Sequence, residues 1–248
     1  MDFDSTIQKV KSAGYWHISF YPAKTVEKLA DENGALTLPQ LKQFVLDNKV
    51  QYRGWDYPHC PQDATLPHQK IYNVSSAVEA WIQWEIHNEA WRFHQSGKFT
   101  HLLGVREDRY AEVGGYNNPA LQNIEPNTVL DVPETTYTLT EIFAFLRNLM
   151  QTSYFLDGIY LSITLKGTKN RKLTVLDRSR IGLSMGYECF QDEVPVFTDR
   201  KLSNKELRTD FKELAREAAI SVFHQFNWDN PSVSVVEQDQ TKLLERKW

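Results

Sequence analysis

Apolar and polar positions alternate with a period of two along three stretches of the chain. Trp16, Ile18 and Phe20 interleave with Tyr15, His17, Ser19 and Tyr21. Val78, Ala80, Ile82, Trp84 and Ile86 interleave with Glu79, Trp81, Gln83, Glu85 and His87. Ile159, Leu161, Ile163 and Leu165 interleave with Tyr160, Ser162 and Thr164. Successive side chains of a strand point to opposite faces, so each stretch predicts a half-buried strand of an antiparallel sheet. The basic turn KGTKNRK follows the third stretch and leads to Leu173 and Val175, which predicts a hairpin over 159–175. Gln95-Ser96-Gly97 suits a three-residue hairpin loop with glycine in the left-handed position. That loop pairs Phe93 with Phe99, Trp91 with His101 and His94 with Lys98.

Helix starts are marked by Thr37 with Pro39 and Gln40, by Thr138 with Glu141, and by Ser203 with Glu206. Apolar stripes follow each: Leu38, Leu41, Phe44 and Val45; Ile142, Phe145, Leu146 and Leu149; Leu207, Phe211, Leu214, Ala218, Phe223 and Phe226. A further helix is expected around 233–246. The pattern predicts an α+β fold: a mainly antiparallel sheet of hairpins, with amphipathic helices packed on one face. Residues 1–248 read as a single domain. About 108–134, where Gly114-Gly115, Asn117-Asn118-Pro119 and Pro126-Asn127 leave little period, the expectation is a long irregular loop.

Composition narrows the class. With 41% hydrophobic and 24% charged residues, the chain is neither fibrous nor of disordered type. No apolar run approaches the ~20 residues that span a bilayer. The N-terminal MDFDSTIQKVKSAGYW lacks the layout of a signal peptide, and two cysteines are too few for a disulfide framework. The expected location is therefore the cytoplasm, with no membrane association. A net charge of −4 disfavours a wholesale polyanion binder but leaves room for a local basic patch.

Five features carry candidate chemistry. Gly182-Leu183-Ser184-Met185-Gly186 matches the G-x-S-x-G pattern, with Asp192 or Asp199 and then His224 in hydrolase order. That motif needs a strand before the serine and a helix after it, and neither is predicted. His87, His94 and His101, with Glu85 and Glu89 nearby, suggest a metal-assisted hydrolase at Glu85, His87 and Glu89. The hairpin register sets His94 and His101 on opposite faces, which argues against a three-histidine site, so neither a metal nor a cofactor is expected. Arg53-Gly54-Trp55-Asp56-Tyr57-Pro58-His59 reads as a recognition loop, with Arg53 for an anionic group, Trp55 or Tyr57 for stacking and His59 for a hydrogen bond. The same residues would also make a packed turn. Trp81, Glu85 and His87 on one strand face mix an aromatic with carboxylates and suggest a partner surface, or a second packed layer. Finally, Lys166, Lys169, Arg171 and Lys172 cluster in the basic 166–180 segment, a candidate nucleic-acid contact if they ring a hairpin tip. No P-loop or dinucleotide-binding glycine motif is present.

The segments GYW (14–16), RGWDYPH (53–59) and WRFHQSGKF (91–99) resemble an uncharacterised family of bacterial proteins. The resemblance implies a bacterial, cytoplasmic protein and carries over no activity or functional residues. No catalytic constellation survives these checks. The function expected is non-catalytic: an accessory recognition subunit that engages a protein partner, a second copy of itself or a ligand. Its expected working surface is Arg53, Trp55, Tyr57 and His59 in the loop, with Trp81, Glu85 and His87 on the sheet.

Overall fold

The period-two segments become strands, and their order in space differs from their order in sequence. In the computed structural model, which describes residues 1–24, 36–61, 65–115, 118 and 121–246, seven strands form one antiparallel sheet. They are β1 (Tyr15–Pro22), β2 (Gln69–Val74), β3 (Ala77–Trp84), β4 (His87–His94), β5 (Phe99–Gly104), β7 (Ile159–Lys166) and β9 (Glu193–Leu202), ordered β2-β3-β4-β5-β1-β7-β9. Two short strands, β6 (Val129–Asp131) and β8 (Lys172–Thr174), pair in parallel beside it. The helices are α1 (Phe3–Lys11), α2 (Leu38–Asn48), α3 (Val132–Leu149), α4 (Asn204–Thr209), α5 (Phe211–Gln225) and α6 (Val233–Glu245). The α+β expectation holds. Among the described residues no helix is long and apolar enough to cross a membrane.

The β4–β5 hairpin has the predicted register, with Phe93 opposite Phe99 and Trp91 opposite His101. Gly97 sits at φ +79, where a Cβ would meet Pro22 at 2.5 Å. The core lies on the face where Phe20, Phe93 and Phe99 meet Phe145 of α3 and Phe44 of α2. Helix α3 is buried along most of its length, because α5 and α6 pack on its far side. The other face carries α1, which lies over β3, β4 and β5.

Four expectations need correction. The predicted strand 77–87 is two strands: β3 ends at Trp84, which pairs with His87 across a two-residue turn at Glu85 and Ile86. Glu85 takes a positive φ of 45 there. The segment read as an irregular loop at 108–134 carries ordered elements among its described residues: the end of the 3₁₀ turn Arg106–Arg109, the 3₁₀ turn Ala111–Val113, then β6 and the start of α3. Helix α3 begins at Val132, capped by Asp131, so Thr138 and Glu141 lie within the helix and form no capping box. The 159–175 hairpin also fails: β7 pairs with β1 and β9, whereas β8 pairs with β6.

Candidate functional site

The loop at 53–59 closes on itself where Val50 and Tyr57 exchange backbone hydrogen bonds of 2.9 and 2.7 Å. Gly54 turns the chain at φ +86 with nothing within 4 Å of its Cβ position. The loop thereby lays Arg53 and Trp55 against the first turns of α3. Glu134, Thr138 and Glu141 are spaced four and three apart, so they share one helix face. Arg53 forms ion pairs with Glu134 and Glu141. Arg106, from the turn after β5, reaches Glu134 at 2.8 Å, and its guanidinium lies 4.4 Å from the Trp55 ring centre. Trp55 is half-buried and also touches the His87 ring at 5.5 Å.

Beneath this layer lies a second polar network. Glu89 accepts the His59 backbone N–H at 2.6 Å, and its other oxygen stands 3.2 Å from His101 Nε2 and 3.3 Å from His87 Nε2. His101 Nδ1 lies 3.2 Å from the Tyr57 hydroxyl. His59 Nδ1 is 2.7 Å from Asp56, which in turn pairs with Lys49 at 2.5 Å. The indole N–H of Trp91 donates to the His59 carbonyl at 2.7 Å.

Burial and neighbours set the charges. Burial would raise Glu134, but Arg106 and Arg53 outweigh it and hold the carboxyl at about 2. Glu89 is likewise held far below the carboxylate range, because His101 and His87 outweigh its burial. For Glu141 burial prevails over Arg53, and the pKa rises. Glu107 is pushed up to about 8 by burial and then by the nearby Asp131 and Glu134. Burial lowers His87 more than Glu89 raises it, so the imidazole is neutral near pH 7. Two arginines thus face the carboxylates of Glu134 and Glu141, beside a Glu107 that keeps its proton at neutral pH.

Arg53, Trp55, Tyr57, His87, Arg106, Thr135 and Glu141 are among the residues lining one cavity of about 20 Å³. That is room for a single water-sized group. Five buried polar atoms around it have no hydrogen-bond partner among the described residues: both ring nitrogens of His87, Arg106 Nε, Thr135 Oγ1 and Glu141 Oε1. His87 Nε2 is close enough to Glu89 for electrostatic attraction but is not aligned for a hydrogen bond.

The sequence-derived residues divide. Arg53, Trp55, Tyr57, His59 and His87 come together here. Glu85 stands exposed at its turn. Trp81 lies on the opposite sheet face, 4% exposed, packed with Phe3 and Ala90 under α1. The supposed common face of Trp81, Glu85 and His87 therefore does not exist, because the turn at Glu85 moves His87 to the core side. Trp81 belongs to a second small core, and truncating such an aromatic costs about 3–5 kcal/mol. Arg171 is also misplaced in the basic cluster: it is fully buried on Asp108 and cannot face a phosphate. Lys166 pairs with Glu193, and Lys169 and Lys172 are exposed.

The enzyme alternatives lose their geometry. Ser184 stands exposed in irregular chain, with neither strand before it nor helix after it, and His224 is an exposed position of α5. Cys60, the thiol next to His59, supplies no alternative nucleophile, because it is buried and burial pushes it well above the ordinary range. His94 bonds Ser76 and Ser96 at the hairpin end, away from His87 and His101. Among the described residues no three of His, Cys, Asp and Glu are grouped to hold a metal ion. Arg106, Glu107, Glu134 and Thr135 were missed by sequence reasoning. The Asp131-Val132-Pro133-Glu134 run carried a helix-start signal, cap then early proline then acid, that would have placed the last two.

No protein-family description, no curated protein and no solved structure matches the chain.

Proposed function

We propose that the protein is a recognition subunit without catalytic chemistry of its own, and that it holds a small, uncharged polar group of a ligand or partner in the cleft beside Trp55. The observation that carries this reading is the convergence of five unpartnered buried polar atoms on one cavity. Unmet buried groups cost about 1–3 kcal/mol each, so a site that collects them gains by admitting a group that both donates and accepts. The two arginines of the cleft are already paired with Glu134 and Glu141, which disfavours an ionic guest. Trp55, half-buried at the mouth, offers the apolar surface on which the rest of the ligand rests.

The test is native mass spectrometry on the protein purified from its own host, compared with Trp55→Ala. The expected result is a stoichiometric companion, small molecule or protein, that is lost in the variant while the melting temperature stays within about 4 °C, the equivalent of ~1 kcal/mol. A wild-type chain that carries nothing, or a variant that retains the companion, overturns the reading.

A further inference from the structure

Among the described residues, α1 covers the sheet face opposite the core over β3, β4 and β5. Beyond it, β1 and β7 alternate buried and accessible residues, and the accessible set is Tyr15, His17, Ser19 and Tyr21 with Tyr160, Ser162, Thr164 and Lys166. Cross-strand pairing brings these into rows, Tyr21 beside Tyr160 beside Lys201, and Tyr15 beside Lys166. Two open grooves lie at the two ends of this strip. One, of about 680 Å³, is walled by Tyr21, Tyr160, Lys98 and Lys24; the other, of about 490 Å³, by Tyr15, Lys11, Lys166 and Lys169. Along β1 their nearest walls, Tyr15 and Ser19, are four residues apart, about 13 Å at ~3.3 Å per residue.

The chemistry of the strip has two parts. Tyr21 and Tyr160 stack at 5.2 Å and 20° and form an aromatic platform on the open face, with Tyr21 40% exposed. Lys98 and Lys201 beside the platform, and Lys11 and Lys169 at the far groove, are exposed and make no ion pair among the described residues. The acids of the strip are largely engaged: Glu193 with Lys166, Asp157 with Lys24 at 3.7 Å, and Asp199 with the Tyr21 hydroxyl at 2.8 Å, leaving Asp192 at the second groove. The excess of cations is local, since the whole chain is at −4. His17, between the grooves, is held below its usual pKa by half-burial and then by Lys166 and Lys11.

We infer that this open face of β1, β7 and β9 binds single-stranded nucleic acid, with bases laid on Tyr21 and Tyr160 and the phosphate backbone led between the two lysine-walled grooves. An open sheet with exposed aromatics and flanking lysines provides what a single strand offers to be read, flat base faces and a regular line of negative charge. An acidic peptide would use the lysines but not the tyrosine platform. The inference does not rest on the Trp55 cleft, which opens on the other side of the sheet, so either reading can fail alone.

The test is fluorescence anisotropy of the full chain with labelled rU12 and dT12 at 50 and 200 mM salt, with a 12-base-pair duplex and polyglutamate as competitors. Binding to at least one single strand is expected, weakened at the higher salt as counterion release requires. Tyr160→Ala should weaken it about fivefold to a hundredfold, as the loss of one stacked base does, while Tyr160→Phe retains it. Lys98→Glu with Lys201→Glu should weaken binding and flatten its salt dependence; both sites are exposed, so this variant serves if Tyr160→Ala does not fold. Absence of binding at 50 mM salt overturns the inference. So does competition by polyglutamate as effective as by unlabelled rU12, which would mark an acidic-peptide surface, or affinity unchanged in both the tyrosine and the lysine variants.

Discussion

At the residue scale, the unusual positions are carboxyl groups that burial keeps protonated. Glu107 accepts the Asp131 backbone N–H at 2.7 Å, and its pKa rises from 4.5 to about 8; Asp131 rises from 3.8 to about 7 by burial and the nearby Glu134, against its own backbone hydrogen bonds. Between pH 4.5 and about 8 the folded Glu107 holds a proton that the unfolded chain has lost. The unfolded state then binds fewer protons, so stability falls as pH rises through that window and levels off above it. Glu107→Gln keeps the acceptor oxygen and removes the charge. The expected outcome is a variant that melts with the wild type near pH 4.5 and several degrees above it at pH 8, read by thermal denaturation across pH. A constant offset at every pH would mean that Glu107 is not buried with its proton.

At the scale of elements, one ion pair ties the irregular segments to the sheet. Arg171 is fully buried, and all five of its N–H groups are used: two on Asp108 at 2.8 and 2.5 Å, and one each on Val129 O, Asn127 Oδ1 and Gly167 O. Asp108 also accepts the N–H groups of Gly14 and Asn127. The pair thus joins the start of β1, the turn after β5, β6 and the turn after β7. It also explains Gly14 of the GYW segment, since a Cβ there would lie 2.1 Å from Arg171 Nη2. Removing one partner of a buried pair costs about 3–5 kcal/mol, because the other charge is left without compensation. Asp108→Ala should therefore lower the melting temperature by on the order of 10 °C. The Asp108→Leu, Arg171→Met double variant should lose less than the single one, because the stranded charge is gone. Equal losses would show that the geometry of the five hydrogen bonds, rather than charge balance, sets the cost.

At the scale of the whole molecule, a single apolar cluster runs from Trp16 in β1 to Val236 in α6 and includes side chains of α2, α3 and α5. Elements that share one core lose their packing together. The expected outcome is one cooperative unfolding transition, with coincident circular dichroism and tryptophan fluorescence curves. An earlier fluorescence step would identify the small cluster of Phe3, Trp81 and Ala90 under α1 as a separately melting unit.

What the sequence determined by itself was local. The period of two marked β1, β3 and β7, the Gln95-Ser96-Gly97 turn set the β4–β5 register, and the Thr37 and Ser203 caps marked where α2 and α4 begin. Each depends on residues a few positions apart, whose conformations follow from side-chain direction, left-handed glycine and orphan helix N–H groups. The Arg53–His59 loop was legible as a site for the same reason: its charged, aromatic and turn-forming residues are adjacent. Tertiary structure decided what those residues meet. A two-residue turn at Glu85 was enough to send Trp81 and His87 to opposite faces, since one step along a strand reverses the side chain. Arg171 reads as a surface cation until Asp108, 63 positions away, is folded against it. The cleft at Trp55 needs Arg106 from one turn and Glu134 and Glu141 from a helix, and only packing brings three such distant segments to one cavity.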